Sequence, residues 1–126
     1  MPKKASRKTI VKKLDAIFSI YIRRRYTKND IAECVTCGKQ DHWKSLQAGH
    51  FMSRKHYSTR WDERNVKSQC VGCNVFKSGQ AYLYSVFLGS ELSNELYLKS
   101  KEIVKFSSQD LQDMIDDYQA KLKTFQ

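Results

Sequence analysis

Cys34, Cys37, Cys70 and Cys73 form two Cys-x-x-Cys pairs. Two residues between thiols let both sulfurs reach one ion from a tight knuckle turn. Two such knuckles close a tetrahedral thiolate site, the usual structural zinc arrangement. A closed site has no position left for water, so its task is to pin the chain rather than to catalyse. A redox dithiol normally accompanies a βαβ pattern, which is absent, and an iron–sulfur cluster fits this spacing poorly. The pairs lie further apart than in a simple zinc ribbon, so any chemistry belongs to the insert between them.

Three polar residues mark that insert. His50 stands at the end of an expected first strand, Asn65 at the start of a second, and Asn74 directly after the last cysteine. A hairpin followed by a helix would bring all three to one concave edge. There a neutral imidazole can take the proton of a water that attacks phosphorus. Asn65 can orient the ring through a hydrogen bond, and Asn74 can offer its amide oxygen to a hard divalent cation. Taken singly, each has an ordinary alternative: a surface histidine, a turn asparagine, a helix N-cap. Together, framed by the cysteines, they argue for a site.

The segments LQAGHF, RWDERNVKSQCVGCN and SGQ together resemble the phage NinG/Rap family of recombination endonucleases, and the layout is similar to phage endonuclease VII. The resemblance covers roughly Cys34–Gln80. It implies an HNH (ββα-metal, His-Me finger) core in its H-N-N variant. His50 then matches the general base, Asn65 the middle residue and Asn74 the metal-binding third position. It further implies a metal-dependent DNA endonuclease acting on branched recombination intermediates such as Holliday junctions and D-loops, with structural Zn²⁺ and catalytic Mg²⁺ or Mn²⁺. One position departs from the pattern. Many such enzymes carry a metal-binding carboxylate immediately before the base histidine, and here Gly49 stands there. Asn74 with phosphate and waters, His50 itself, Asp41, Glu63 or His56 can complete the metal set, and Asp62 is the preferred substitute because WDERN places it near Asn65.

These residues need elements to hold them. Ile10, Val11, Leu14, Ile17, Phe18, Tyr21 and Ile22 recur at helical spacing, which predicts a basic amphipathic helix over 6–25 with Ser6 as N-cap. Strands are expected around Leu46–Phe51 and Asn65–Gln69, inside an otherwise irregular zinc-bound core over 34–80. A helix from about Cys70 carries Asn74, with Gly79 as its interruption. The remainder, 81–126, reads as helical: AYLYSVFL ending at Gly89, a short helix from Ser93, and a last helix with Ser107 and Asp110 as a capping box. Leu111, Met114, Ile115, Tyr118 and Leu122 form the stripe of that last helix. The fold class is therefore α+β, one domain over 1–126, with a small zinc-stapled core between flanking helices.

Charge narrows the partner. The 126 residues carry a formal net charge of +10, which points to a polyanion, nucleic acid before membrane. Residues 1–28 are strongly basic, Lys3 and Lys4 included, with Asp15 as their single acid. Arg23, Arg24, Arg25, Arg54, Lys55, Arg60, Arg64 and Lys67 are candidate phosphate contacts, with Lys77 near the scissile group. Trp43, Trp61 and Tyr57 are candidates for stacking on bases, although such aromatics more often pack around metal knuckles. No apolar run can span a bilayer and no signal peptide is visible, so a cytoplasmic protein is expected, in a bacterial host if it is phage-encoded. The expected partners are branched or single-stranded DNA, a second copy in a C2 homodimer packed through the end helices, and other phage or host recombination proteins. Two other readings stay open. One is a non-catalytic zinc-finger binding module with a degenerate HNH edge, which Gly49 favours. The other is an RNA-directed nuclease, because phosphate contacts are common to both nucleic acids.

Overall fold

The computed structural model describes residues 5–125; Lys3 and Lys4 lie outside them. Helix α1 (Arg7–Arg24) begins where Ser6 accepts a hydrogen bond from the Thr9 N–H at 3.2 Å. Ile10, Leu14, Phe18 and Ile22 fall on one face at the helical period and are buried. Helix α5 (Ser108–Lys123) starts with the Ser107–Asp110 capping box and buries Leu111, Ile115 and Tyr118. The two faces pack together, with the Phe18 and Tyr118 rings edge to face at 5.1 Å. Burying a Leu, Ile or Phe side chain contributes about 1.5–3 kcal/mol, so this pair of helices is the main hydrophobic element. The stripes that argue for a homodimer in the sequence thus cover each other within one chain. Exposed apolar side chains lie elsewhere, with Phe76, Tyr82, Val86 and Phe87 on and just before α3.

Between the end helices stand two antiparallel hairpins. The first, β1 (Ile31–Glu33) with β2 (Gln40–His42), carries the first knuckle between its strands. Sequence periodicity misses it because each strand has three residues. The second, β3 (Gln47–His50) with β4 (Val66–Gln69), pairs His50 with Val66 and Gln47 with Gln69. Its long connection contains the one-turn helix α2 (Tyr57–Arg60), also unforeseen. After β4 the chain enters a π-helical turn, Gly72–Phe76, rather than a regular α-helix. Ser78, Gly79 and Gln80 then take successive positive φ values of 51°, 86° and 52° and end it. Helices α3 (Ala81–Leu88) and α4 (Ser90–Ser100) meet at Gly89, so α4 starts three residues before the expected Ser93. A cysteine-side core gathers Ala32, Cys34, Leu46, Cys70 and Cys73, with Trp43 packed against it. Val66 and Trp61 join the helical core instead, so β4 links the two. The result is α+β, with two small two-stranded sheets and flanking helices.

Candidate functional site

The four cysteines converge. Their sulfurs lie within 4.8 Å of one another, and those of Cys37 and Cys70 are 3.7 Å apart. A tetrahedral ion with Zn–S bonds of about 2.3 Å requires sulfur–sulfur edges of about 3.8 Å. The cluster therefore fits a metal ion such as zinc. Burial would raise the Cys34 thiol, but hydrogen bonds from the Thr36 hydroxyl and neighbouring backbone N–H groups bring it down to about 6. At Cys37 a bond from the Lys39 N–H favours the thiolate, yet desolvation and the three neighbouring sulfurs push the thiol up to about 12. A cation among the sulfurs would favour the thiolate at Cys37.

His50 ends β3. Its Nε2 is 2.9 Å from the Arg60 carbonyl oxygen, a pure acceptor, so Nε2 carries the proton and donates. Nδ1 is then the lone-pair nitrogen. Burial, aided by the charges of Arg54 and Arg60, lowers the imidazole pKa, so the ring is neutral at pH 7. Asn65 does not touch the ring. It is fully buried; its Oδ1 accepts the Met52 N–H at 2.7 Å, and its Nδ2 donates to the Met52 and Thr59 carbonyls at 2.9 and 3.0 Å. Asn65 thus fastens the connection that delivers the Arg60 carbonyl, and orients His50 at one remove.

A second fastening comes from α1. The Asp15 carboxylate accepts from Arg60 Nε at 3.1 Å, from Arg60 Nη2, and from Trp61 Nε1 at 3.0 Å. Asp15 was the lone acid of the basic N-terminal stretch, and that isolation was the signal to follow. Arg60, a phosphate candidate in the sequence, spends its guanidinium on Asp15 and the Arg54 carbonyl.

Asn74 sits in the π-helical turn. Its Nδ2 donates to Gln47 Oε1 at 2.8 Å, which fixes the amide and leaves Oδ1 free of that bond. His50, Asn74, Gln47, Asp15, Ser53 and Arg54 line one open cavity of about 640 Å³. His50 and Asn74 thus share an edge, as expected, while Asn65 and Asp62 stand outside it. Asp62 is bound by Arg64 at 3.1 Å and Lys99 at 2.8 Å. Burial works against its charge, but these bonds prevail and hold the carboxyl at about 2. Expected as a metal ligand, it is instead engaged in these ion pairs on the α4 side and does not line the cavity of His50 and Asn74.

Gly49 has a packing cause. A Cβ built there would lie 1.8 Å from Oε1 of Gln69, a fully buried side chain that donates to Thr36 Oγ1 and the Gly79 carbonyl. The space a side chain would need at position 49 is thus filled by an amide reaching from the cysteine knuckle to Gly79. Tyr84, also fully buried and not singled out from sequence, donates from its hydroxyl to the Gly49 carbonyl at 2.8 Å.

The basic candidates separate. Arg25, a phosphate candidate in the sequence, is engaged within the fold: its side chain is 7% exposed, Nη1 pairs with the Glu63 carboxylate at 3.4 Å, and Nη2 donates to the Glu63 and Val66 carbonyls at 2.9 and 2.8 Å. Arg23 bonds the Ser19, Trp43 and Leu46 carbonyls, and Arg24 bonds the Phe125 carbonyl; both stack on Trp43. Arg64 pairs with Asp62 and Glu95. Arg54, Lys55 and Lys77 are exposed, and Arg54 lies on the His50 cavity. Trp61 is buried beside Tyr57, and Trp43 packs at the knuckles, so the aromatics serve packing.

The sequence profile described as "Bacteriophage Lambda NinG protein" matches residues 2–126. Protein ninG of Salmonella phage P22 is 30% identical over 120 residues, covering 90% of this chain and 56% of that protein. Protein ninG of Escherichia phage lambda is 33% identical over 88 residues, covering 68% and 40%. Protein ninG of Escherichia phage 933W is 33% identical over 88 residues, covering 68% and 41%. The chain thus spans about half the length of these curated relatives. No solved structure matches it. Among the described residues, no helix is long and apolar enough to cross a membrane.

Proposed function

Because the chain belongs to the bacteriophage Lambda NinG family, we propose that it is a metal-dependent, structure-selective DNA endonuclease that hydrolyses phosphodiesters in branched intermediates such as Holliday junctions and D-loops. The observation that carries this reading is the His50 ring. Its Nε2–H is committed to the Arg60 carbonyl, which leaves Nδ1 as a proton acceptor on a ring that lines the same cavity as Asn74. The layout of hairpin, zinc thiolates and following helical turn supports an HNH-like core.

His50 Nδ1 accepts a proton from water as the water oxygen bonds to phosphorus; the bridging P–O bond breaks, and the departing oxygen is protonated by solvent. Asn74 Oδ1, fixed through Gln47, is the group that would hold Mg²⁺ or Mn²⁺. When bound, such an ion would neutralise charge on the phosphoryl and leaving oxygens. Asp15, the carboxylate on this cavity, is occupied by Arg60 and Trp61 and serves the protein rather than the ion. Zn²⁺ is the ion proposed for the four thiols. Exposed Arg54 and Lys77 are the proposed backbone contacts.

The test is a paired measurement on the parent, His50→Ala and Asn74→Ala. Gel-shift affinity for a four-way junction is taken without added Mg²⁺, and single-turnover cleavage with it. Duplex, single-stranded and RNA controls accompany both. Binding is expected to stay near the parent value while cleavage by His50→Ala falls about 10²–10⁴-fold. A parent that binds junctions but cuts no substrate would replace the enzyme with a binding module.

A further inference from the structure

A second cavity, of about 450 Å³, lies along the outer edge of β4. Of the residues that line it, only Arg23 is shared with the His50 cavity. The two therefore open on different sides of the β3–β4 hairpin. The volume falls within the range of small-ligand sites, about 300–1,000 Å³. The zinc knuckle closes one side, where the Val35 N–H bonds the Ser68 carbonyl at 2.9 Å. Phe87 of α3 and Tyr26, just after α1, supply aromatic lining, 60% and 79% exposed respectively. The Arg25 guanidinium lies 4.9 Å from the Tyr26 ring centre and steadies it.

The charges of this cavity are unbalanced. Arg23, Arg25 and Lys67 line it against one carboxylate, Glu33. Arg25 is 7% exposed and pairs with the Glu63 carboxylate at 3.4 Å, while its Nε is buried without a hydrogen-bond partner. Lys67 is half-buried and forms no ion pair among the described residues; the acid nearest in influence, Asp62, is bonded to Arg64 and Lys99. Desolvation and the Arg25 charge both disfavour its ammonium. A partly desolvated cation without a counter-ion is costly, and an anion entering beside Lys67 from solvent relieves that cost. The complementary ligand is an anion joined to a flat apolar body. In duplex DNA the base faces are covered by stacking, so the ligand must come from an unpaired strand.

We propose that this cavity holds one nucleotide of a single-stranded segment, its phosphate against Lys67 and its base against Phe87 and Tyr26. The proposal rests on the nucleic-acid reading above and adds a second contact point, on the far side of the hairpin from His50. It gives the chain a means of preferring substrates with unpaired bases.

The test is fluorescence anisotropy of a labelled oligothymidylate with the 126-residue chain, in buffer without Mg²⁺ or Mn²⁺, as a function of salt. Lys67→Met is expected to weaken binding about tenfold and to reduce the salt slope by about 0.7, the value for one phosphate on a single strand. Phe87→Ala is expected to weaken binding about tenfold with the slope unchanged, because stacking releases no counterions. Thymidine monophosphate should compete at high concentration against the parent and lose that ability against Lys67→Met. Phe87 is exposed, so its variant keeps the test valid if Lys67→Met folds poorly. A parent that binds but loses neither affinity nor slope in either variant overturns the pocket alone. A parent that binds neither oligonucleotide nor junction overturns the pocket together with the nucleic-acid reading.

Discussion

Replacing Asp15 with Asn keeps the shape of the side chain but removes the charge that accepts from Arg60 Nε at 3.1 Å and Trp61 Nε1 at 3.0 Å. Hydrogen bonds to charged groups contribute about 1.5–3 kcal/mol each. The three bonds to this carboxylate are coupled, one amide oxygen still accepts, and the Asp15 and Arg60 side chains are 19% and 16% exposed. The net cost should therefore be about 2 kcal/mol, near the value of one such bond. With a urea m-value of about 1–3 kcal/mol/M, the unfolding midpoint drops by about 1 M. Arg60→Gln should cost a similar amount, and the double variant should cost little more than either, a coupling of about 1–2 kcal/mol. The functional consequence runs through the Arg60 carbonyl, which fixes the His50 tautomer at 2.9 Å. Once the guanidinium is released, that carbonyl loses one of its supports, and single-turnover cleavage should fall about 10–100-fold, the usual effect of losing such an orienting contact. Junction affinity measured without Mg²⁺ should stay near the parent value. Additive stability losses would show that the pair is not coupled. A variant that loses stability yet cuts at the parent rate would show that the Arg60 carbonyl is placed without Asp15, and the link from α1 to His50 would be withdrawn.

Cys70→Ser should abolish stoichiometric metal in the purified protein, measured by elemental analysis, together with its cooperative unfolding transition, since binding energy at a closed thiolate site is folding energy; a folded variant without metal would refute the thiolate reading. Because burial lowers the His50 pKa, the neutral ring persists below pH 6.5, so cleavage should hold its plateau past that pH and fall only at more acid values. The unfolded chain binds the His50 proton first as pH drops, so this residue's contribution to stability is complete above about 6.5 and is lost as pH falls through the lower folded value; a cleavage profile breaking above 6.5 would assign the base elsewhere. Gly49→Ala should destabilise by about 1–3 kcal/mol by crowding buried Gln69 but cost almost nothing in a Gln69→Ala background, and equal costs in urea melts of the two backgrounds would mean that the contact is not what forbids a side chain.

The long helices were legible because their burial is periodic: Ile10, Leu14, Phe18 and Ile22, and Leu111, Ile115 and Tyr118, fall where a helix period places them. The cysteine cluster and the shared edge of His50 and Asn74 were legible from spacing alone. What escaped was set by contacts distant in sequence. Nothing near Arg25 says that its guanidinium will bond Val66 across the fold, and a count of positive charge treats it like any exposed arginine. Asp62 was preferred because WDERN places it near Asn65, whereas Lys99 and Arg64 meet it from α4 and its own loop. The π-helical turn and the three-residue strands lie below the length at which a period can be read. The end helices expose apolar stripes in sequence, and only the tertiary structure shows that each is the other's cover.

Two independent supports converge on His50, and they come from different cores. From the zinc side, Gln69 ties β4 to Thr36 of the first knuckle and to Gly79, and Tyr84 clamps the Gly49 carbonyl next to the histidine. From the helical side, Asp15 holds Arg60, and Asn65 holds Thr59, so the carbonyl that accepts the hydrogen bond from His50 Nε2 is fixed from two directions. Gly49 belongs to the first of these supports: the space a carboxylate would need is occupied by the glutamine that joins the hairpin to the knuckle. On the proposed mechanism, the space beside the base is closed to a side chain, and the tautomer of the base is set by the Arg60 carbonyl without any metal. On that mechanism orientation of the ring goes to Asp15 and Arg60, and cation binding to Asn74 with Gln47. On that division Asn74→Ala should respond to added Mn²⁺ in cleavage, while Asp15→Asn should not.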